Sequence, residues 1–187
     1  MTVPVPQTPV PETPDLETEV DRLLAALRAA DVGRGDPVAL ALATGVGVGV
    51  AAAGERWWME TPHPALVVDR IENELRPRWT WWSNETAATL IAAGVRVAMC
   101  WDVAAVHRLL FGGWRSEPAL VWAALNDLQI TSIPVLGQLD LSHPTDVTDV
   151  TDMSDVTNEE GPLRPDLQLR PEWVSGEWAV TAERLAR

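Results

Sequence analysis

The stretch PVALALATGVGVGVAAAGERWWM, residues 37–59, decides the fold. Its first part is a short apolar run bounded by turn signals, which predicts a strand over 37–44. Its second part alternates small and apolar residues and is broken at Gly54, which predicts a second strand over 47–59 with a hairpin turn at that glycine. We therefore expect the folded domain to begin with strands joined by tight turns.

The three alternating glycines Gly45, Gly47 and Gly49 invite comparison with a phosphate-binding loop. A dinucleotide fingerprint, G-x-G-x-x-G, would need a third glycine where Val50 or Ala52 stands. The residues that follow alternate like a strand, so no helix N-terminus is available to hold a phosphate. A Walker loop requires a lysine, and the chain has none. The run is interpreted as a strand and a turn that contain glycines for conformational freedom and bind no phosphate.

The residues on either side alternate between helical and strand patterns. A helix is predicted from Asp15 to Gly33, and its apolar stripe is Leu16, Val20, Leu23, Leu24 and Leu27. Further helices are predicted over 64–75, 84–93, 102–111 and 118–128, and further strands over 79–82 and 95–99. The apolar face of the helix over 64–75 is predicted to be Leu66, Val67, Ile71 and Leu75. This order of elements predicts an α/β domain with a mixed sheet.

Composition divides the chain into four parts. Residues 1–36 hold a proline-rich tail, expected to be disordered, and the amphipathic helix; residues 37–128 form the folded domain. Residues 129–162 are expected to be a disordered acidic linker. Its repeat over 146–157 places Asp at every third position and has neither the spacing nor the glycine of a calcium loop. Residues 163–187 look like the start of a following helical segment.

The net charge of −13 is concentrated in the flanks of the chain. The folded part, 37–128, carries nine acidic and seven basic residues, so it is nearly neutral. Because an acidic chain repels a phosphate backbone, we expect weak or no autonomous binding of nucleic acid. There is neither a signal-peptide pattern nor an apolar run of membrane-spanning length, which predicts a soluble cytoplasmic protein with no membrane partner.

Cysteine and histidine offer no obvious chemistry. The single cysteine, Cys100, excludes an internal disulfide and a cysteine zinc cluster, and it is interpreted as a buried thiol. The three histidines, His63, His107 and His143, are not spaced like metal ligands. His107 is expected to be an ordinary surface or boundary residue.

Three tryptophans lie on one predicted strand. Trp79 and Trp81 share a face of that strand, and Trp82 points the other way. They could stack on single-stranded bases, but the neighbouring positive charge is only Arg76 and Arg78, so core packing is the favoured interpretation.

Residues 76–113, RPRWTWWSNETAATLIAAGVRVAMCWDVAAVHRLLFGG, resemble part of the N-terminal 3′–5′ exonuclease-like domain of family A DNA polymerases. The likeness is greatest to the actinobacterial polymerase-I-like proteins, with their RW-W strand, their LLxAGVRV turn and their C-x-D. It extends over 37–128 and, loosely, 163–187. The resemblance implies a ribonuclease-H-like (DnaQ-like exonuclease) mixed sheet flanked by helices.

The resemblance also implies a chemistry in which four carboxylates hold two metal ions. The D-x-E motif of the first strand falls here on Leu42 and Thr44, and the next motif falls on Trp82 and Thr86. Asp102 corresponds to the start of a helix and is interpreted as its cap. The last motif needs a Tyr or a His followed by an Asp. The chain has no Tyr, and the positions five residues after its histidines are Val68, Gly112 and Thr148.

These departures predict a catalytically silent domain with no catalytic residues, no metal and no cofactor. Its role would be structural or docking, in DNA replication or repair, with a polymerase domain or a polymerase-associated protein as partner. One alternative is an active exonuclease dependent on Mg²⁺ or Mn²⁺ that uses a non-standard site such as Glu60, Asp69 and Asp102. Another is a stand-alone interaction module unrelated to DNA.

Overall fold

A computed structural model of the protein describes residues 16–112, 115–129, 161–170, 173 and 179–187. The predicted proline-rich tail, nearly all of the predicted acidic linker with its repeat, and His143 lie outside these residues.

The described chain is an α/β structure built on a mixed five-stranded sheet. The strands are β1 (Pro37–Ala43), β2 (Gly47–Ala52), β3 (Glu55–Glu60), β4 (Arg78–Trp81) and β5 (Cys100–Asp102). Their order across the sheet is β3-β2-β1-β4-β5. The pairs β3–β2 and β2–β1 are antiparallel, and the pairs β1–β4 and β4–β5 are parallel. The predicted mixed α/β sheet is thus confirmed.

Six helices have bounds within the described residues. They are α1 (Leu16–Ala29), α2 (Pro64–Leu75), α3 (Asn84–Ala92), α4 (Val103–Phe111), α5 (Pro118–Leu125) and α6 (Ala182–Ala186). Residues 163–170 are not helical; they form a turn closed by a bridge between Leu163 and Leu169. In the described part of the C-terminal region, α6 is a short helix and Trp173 is also helical.

Tight turns explain why strands β1 to β3 follow one another as a meander. Between β2 and β3, Ala53 and Gly54 both have positive φ, 51° and 85°. That combination is typical of a type I′ hairpin turn, whose twist matches the twist of the paired strands. The glycine at this turn confirms the predicted hairpin.

The core lies between one face of the sheet, here called the core face, and the helices α1, α2 and α3. Alternate strand residues point into it, among them Val38, Leu40, Val48, Val50, Trp79 and Trp81. The helices contribute Val20, Leu23, Leu24, Leu27, Val67, Val68, Ile71 and Leu90. The apolar stripe predicted for α1 is confirmed. On α2 the stripe is rotated: Leu66 is exposed, and Val68 takes the buried place.

Two predicted helix ends lie too far along the chain. Helix α1 stops at Ala29 instead of continuing to Gly33, because Asp31 adopts the left-handed conformation at φ 59°. The Val32 amide then donates to the Leu27 carbonyl at 3.0 Å, which is a Schellman ending. Helix α5 stops at Leu125 instead of 128, because Asp127 adopts the left-handed conformation at φ 53°.

The strand predicted over 95–99 is wrong, and the strand begins at Cys100. A distant side chain delays the start of this strand. The Ala98 amide donates to the Glu72 carboxylate at 3.0 Å, so it is not free to pair with a neighbouring strand. Pairing with β4 therefore begins later, where Trp79 is in register with Cys100.

The opposite face of the sheet, here called the outer face, is lined by glycine and alanine on β1 and β2. Helix α6 packs on this part of the face and contacts β1, β2 and β3. A Cβ atom at Gly49 would overlap the backbone of Leu185 and Ala186. The glycine run that resembles a phosphate loop is therefore part of a strand, and its lack of side chains allows the backbone of α6 to pack close to the sheet.

Candidate functional site

The carboxyl ends of β1, β4 and β5 lie at one edge of the sheet, because the three strands are parallel. This edge is where a metal-dependent nuclease of the resembled family would hold its ions. Leu42 lies near the end of β1, and Thr44 comes just after it. Trp82 follows β4 directly, and Thr86 lies in the first turn of α3. The topology thus brings all four predicted positions to the same edge.

None of those four side chains can carry a negative charge. Leu42 is half-buried and packs against the core, and Thr44 is exposed. Trp82 and Thr86 are both half-buried. A divalent ion of the Mg²⁺ or Mn²⁺ type needs carboxylate or other strong oxygen ligands. These residues therefore do not fit a two-metal centre.

Asp102 is an acid of this edge, and its carboxylate has a structural use. It is the last residue of β5 and the N-cap of α4. Its Oδ1 accepts a hydrogen bond from the Ala105 amide at 2.8 Å. The Ala104 amide donates to the Trp82 carbonyl at 2.9 Å, which ties the start of α4 to the end of β4. The prediction that Asp102 is a cap is confirmed.

The acids considered for a non-standard site do not come together. Glu60 ends β3 and Asp102 ends β5, and these are the two edge strands of the five-stranded sheet. Four strand spacings separate them, which is about 19 Å. Asp69 lies on α2, where it accepts a hydrogen bond from Asn73. Across the described ranges, no group of three or more His, Cys, Asp or Glu side chains could hold a metal ion.

Cys100 is exposed, so its interpretation as a buried thiol is wrong. It lies on β5, the edge strand, where the sheet has no further described strand to cover it. Partial burial raises the pKa of the Cys100 thiol, and the nearby negative charge of Asp102 raises this pKa further by a smaller amount. The thiol is therefore protonated at neutral pH, which disfavours a role as a nucleophile.

His107 is buried, at 7% exposure, and is not the surface or boundary residue that was predicted. Its ring lies 4.8 Å from the ring of Phe111, one helical turn further along α4. Its Nδ1 has no hydrogen-bond partner among the described residues. His63 precedes α2 and makes no side-chain capping bond. Neither histidine lies with acids in a metal site within the described chain.

One buried polar site in the described structure was not singled out by the sequence. Glu72 is 6% exposed and accepts two hydrogen bonds. Trp79 Nε1 donates to its Oε2 at 2.8 Å, and the Ala98 amide donates to its Oε1 at 3.0 Å. A usable signal was present, because Glu72 lies one helical turn after the buried Val68. Glu72 joins α2, β4 and the approach to β5.

The tryptophans divide into buried and exposed sets. Trp79 is 0% and Trp81 3% exposed, so the prediction of core packing is confirmed for these two, whereas Trp82 is half-buried. Trp58 and Trp101, which the sequence did not distinguish, are each 52% exposed. The guanidinium of Arg78 lies 5.7 Å from the centre of the Trp101 ring. These two exposed tryptophans therefore lie on the edge strands.

The comparisons with known proteins give no match to a family model, to a curated protein or to a solved structure. No helix in the described part of the chain is long and apolar enough to cross a membrane.

Proposed function

We propose that this chain is a catalytically silent ribonuclease-H-like domain of the 3′–5′ exonuclease type, with a structural or docking role beside a DNA polymerase. The strand order β3-β2-β1-β4-β5, with an antiparallel meander followed by two parallel strands, supports this architecture. The sequence resemblance over 37–128 supports the polymerase connection.

The observation that carries the proposal is the chemistry of the carboxyl edge. Hydrolysis by two metal ions needs several carboxylates on adjacent strand ends. Here those places hold Leu42, Thr44, Trp82 and Thr86, and the Asp102 carboxylate is engaged by the Ala105 amide. The fold keeps the scaffold of the reaction without its ligands, so no metal-dependent step is assigned to it.

The docking role is supported by apolar side chains at the end of α4. Leu109, Leu110 and Phe111 are 85%, 72% and 60% exposed with respect to the described residues. Consecutive exposed apolar residues favour contact with another protein surface. The partner proposed for this contact is a polymerase domain or a polymerase-associated protein.

A nuclease assay tests the proposal. Labelled single-stranded DNA is incubated with the full chain in Mn²⁺ or Mg²⁺, and shortening from the 3′ end is followed on a gel. We expect no metal-dependent shortening above that of a mock preparation. Activity that disappears in the Asp102→Ala variant would overturn the proposal and favour a non-standard nuclease site.

Genome context separates the proposal from a stand-alone interaction module. A polymerase reading frame directly downstream supports the polymerase connection. Its absence favours a module unrelated to DNA.

A further inference from the structure

Four arginines lie at the amino ends of β1, β4 and β5, opposite to the candidate metal site. Arg34 and Arg76 precede β1 and β4, Arg78 is the first residue of β4, and Arg96 precedes β5. Together they are called the basic edge. The Gly35 amide donates to the Arg76 carbonyl at 3.0 Å, and the Arg78 amide donates to the Asp36 carbonyl at 2.9 Å. The Trp79 amide donates to the Met99 carbonyl at 3.1 Å. These backbone bonds hold the three segments side by side.

The positive charge of the basic edge is not neutralised by ion pairs. None of its four arginines forms one within the described part of the chain. The edge also holds two acidic residues: Asp36, which accepts from the Gly33 amide, and the buried Glu72, which accepts from Trp79 Nε1 and the Ala98 amide. The four arginines outnumber these two acids, so the edge carries an excess of positive charge in a chain of net charge −13.

An exposed aromatic ring adjoins the basic edge on the outer face. Trp101 is in register with Thr80, and Thr80 is in register with Ala39, so the three form one row across the sheet. The guanidinium of Arg78 lies 5.7 Å from the centre of the Trp101 ring, and the ring stays 52% exposed. Because Ala39 and Thr80 are small, no large side chain stands beside the ring along this row.

A groove continues this row toward α6. It has a volume of about 290 Å³, and its lining includes Ala39, Ala41, Thr80 and Trp82. Its walls are mainly apolar, whereas the charges lie at the basic edge. A ligand that spans both regions needs an anionic part and a flat apolar part.

We propose that the outer face binds single-stranded nucleic acid, with phosphates on the basic edge and a base stacked at Trp101 and Arg78. Arginine beside an exposed aromatic ring on a sheet is the chemistry that holds unpaired bases and their backbone. An acidic peptide would use the arginines and leave the ring unused. The proposal goes beyond a silent exonuclease fold, because it places the phosphates at the opposite edge of the sheet and needs no metal.

The test is fluorescence anisotropy with a labelled oligo(dT) of about 12 nucleotides, titrated with the full chain at low salt in EDTA. We expect binding in the micromolar range. The logarithm of affinity should fall with the logarithm of salt concentration with a slope of about −2 to −3, the value for three or four phosphates. EDTA separates this test from the question of nuclease activity.

Matched variants locate the binding surface. Trp101→Ala and Arg78→Glu should each weaken binding about tenfold or more. The controls are Trp58→Ala and Arg56→Glu on the far edge strand β3, and Trp58 is equally exposed at 52%. The controls should bind like the wild type, and circular dichroism should show that all four variants are folded.

Three results would overturn the proposal. The first is no binding at low salt, and the second is an equal loss in the controls. The third is tighter binding of a poly-glutamate peptide than of the oligonucleotide, with no effect of Trp101→Ala, which would assign the surface to an acidic protein partner instead.

Discussion

Replacing Trp79 by alanine is expected to lower the free energy of unfolding by about 3–5 kcal/mol. Trp79 is fully buried in the centre of the sheet, between β1 and β5. The substitution leaves a large cavity and removes the Nε1 donor from the buried Glu72 carboxylate. Urea denaturation followed by circular dichroism measures the change.

The control for this prediction is Trp58→Ala, because Trp58 is 52% exposed on the edge strand β3. It should cost only about 1 kcal/mol, as is usual for substitutions near the surface. If Trp79→Ala costs no more than Trp58→Ala, then Trp79 is not the centre of the core and the packing of the sheet is different.

The substitution Gly49→Ala should detach helix α6 from the sheet. The new Cβ would overlap the backbone of Leu185 and Ala186, and backbone atoms cannot move aside as a flexible side chain can. Trypsin should then cleave after Arg184 about tenfold faster or more, since losing even ~1.4 kcal/mol of docking free energy raises the detached population tenfold. Mass spectrometry of the cleavage products measures this rate.

Gly33→Ala is the matched control, since a Cβ at Gly33 would meet only Asp36 at an ordinary 3.6 Å. Its cleavage after Arg184 should stay at the rate of the wild type. An unchanged rate in Gly49→Ala, with the sheet still folded, would mean that α6 does not pack on Gly49.

Much of the fold could be predicted because its signals are local. The apolar run at the start of β1, the turn at Gly54 and the helix from Pro64 to Leu75 each depend on neighbouring residues. The cap of α4 at Asp102 is equally local, because the carboxylate reaches an amide three residues away. Patterns of this kind fix strands, turns and helix starts before the tertiary fold is known.

The strand predicted over 95–99 shows that local sequence patterns do not predict where β5 begins. Residues 95–99 have the composition of a strand, but the Ala98 amide is bound by Glu72, which is 26 positions earlier in the chain. The register of β5 therefore follows from a contact that no local window contains. A polar residue on the buried stripe of α2 was the available signal, and its partner could not be read from sequence.

The sequence predicts which residues occupy the candidate site, but it does not predict which strands lie next to one another around that site. The uncharged positions Leu42, Thr44 and Thr86 follow directly from the sequence, whereas their meeting at one edge depends on the pairing of β1 with β4. The exposure of Cys100 and Trp101 depends on β5 being an edge strand. Periodicity along the chain indicates which face a residue occupies, but it does not indicate which strands are central.

The most direct test of a silent ribonuclease-H-like domain is a crystal structure of the full chain grown with Mn²⁺, with anomalous scattering used to locate the ions. We expect the strand order β3-β2-β1-β4-β5 and no anomalous peak at the carboxyl edge beside Leu42, Thr44 and Thr86. A manganese ion bound at that edge, or a different strand order, would contradict the proposal.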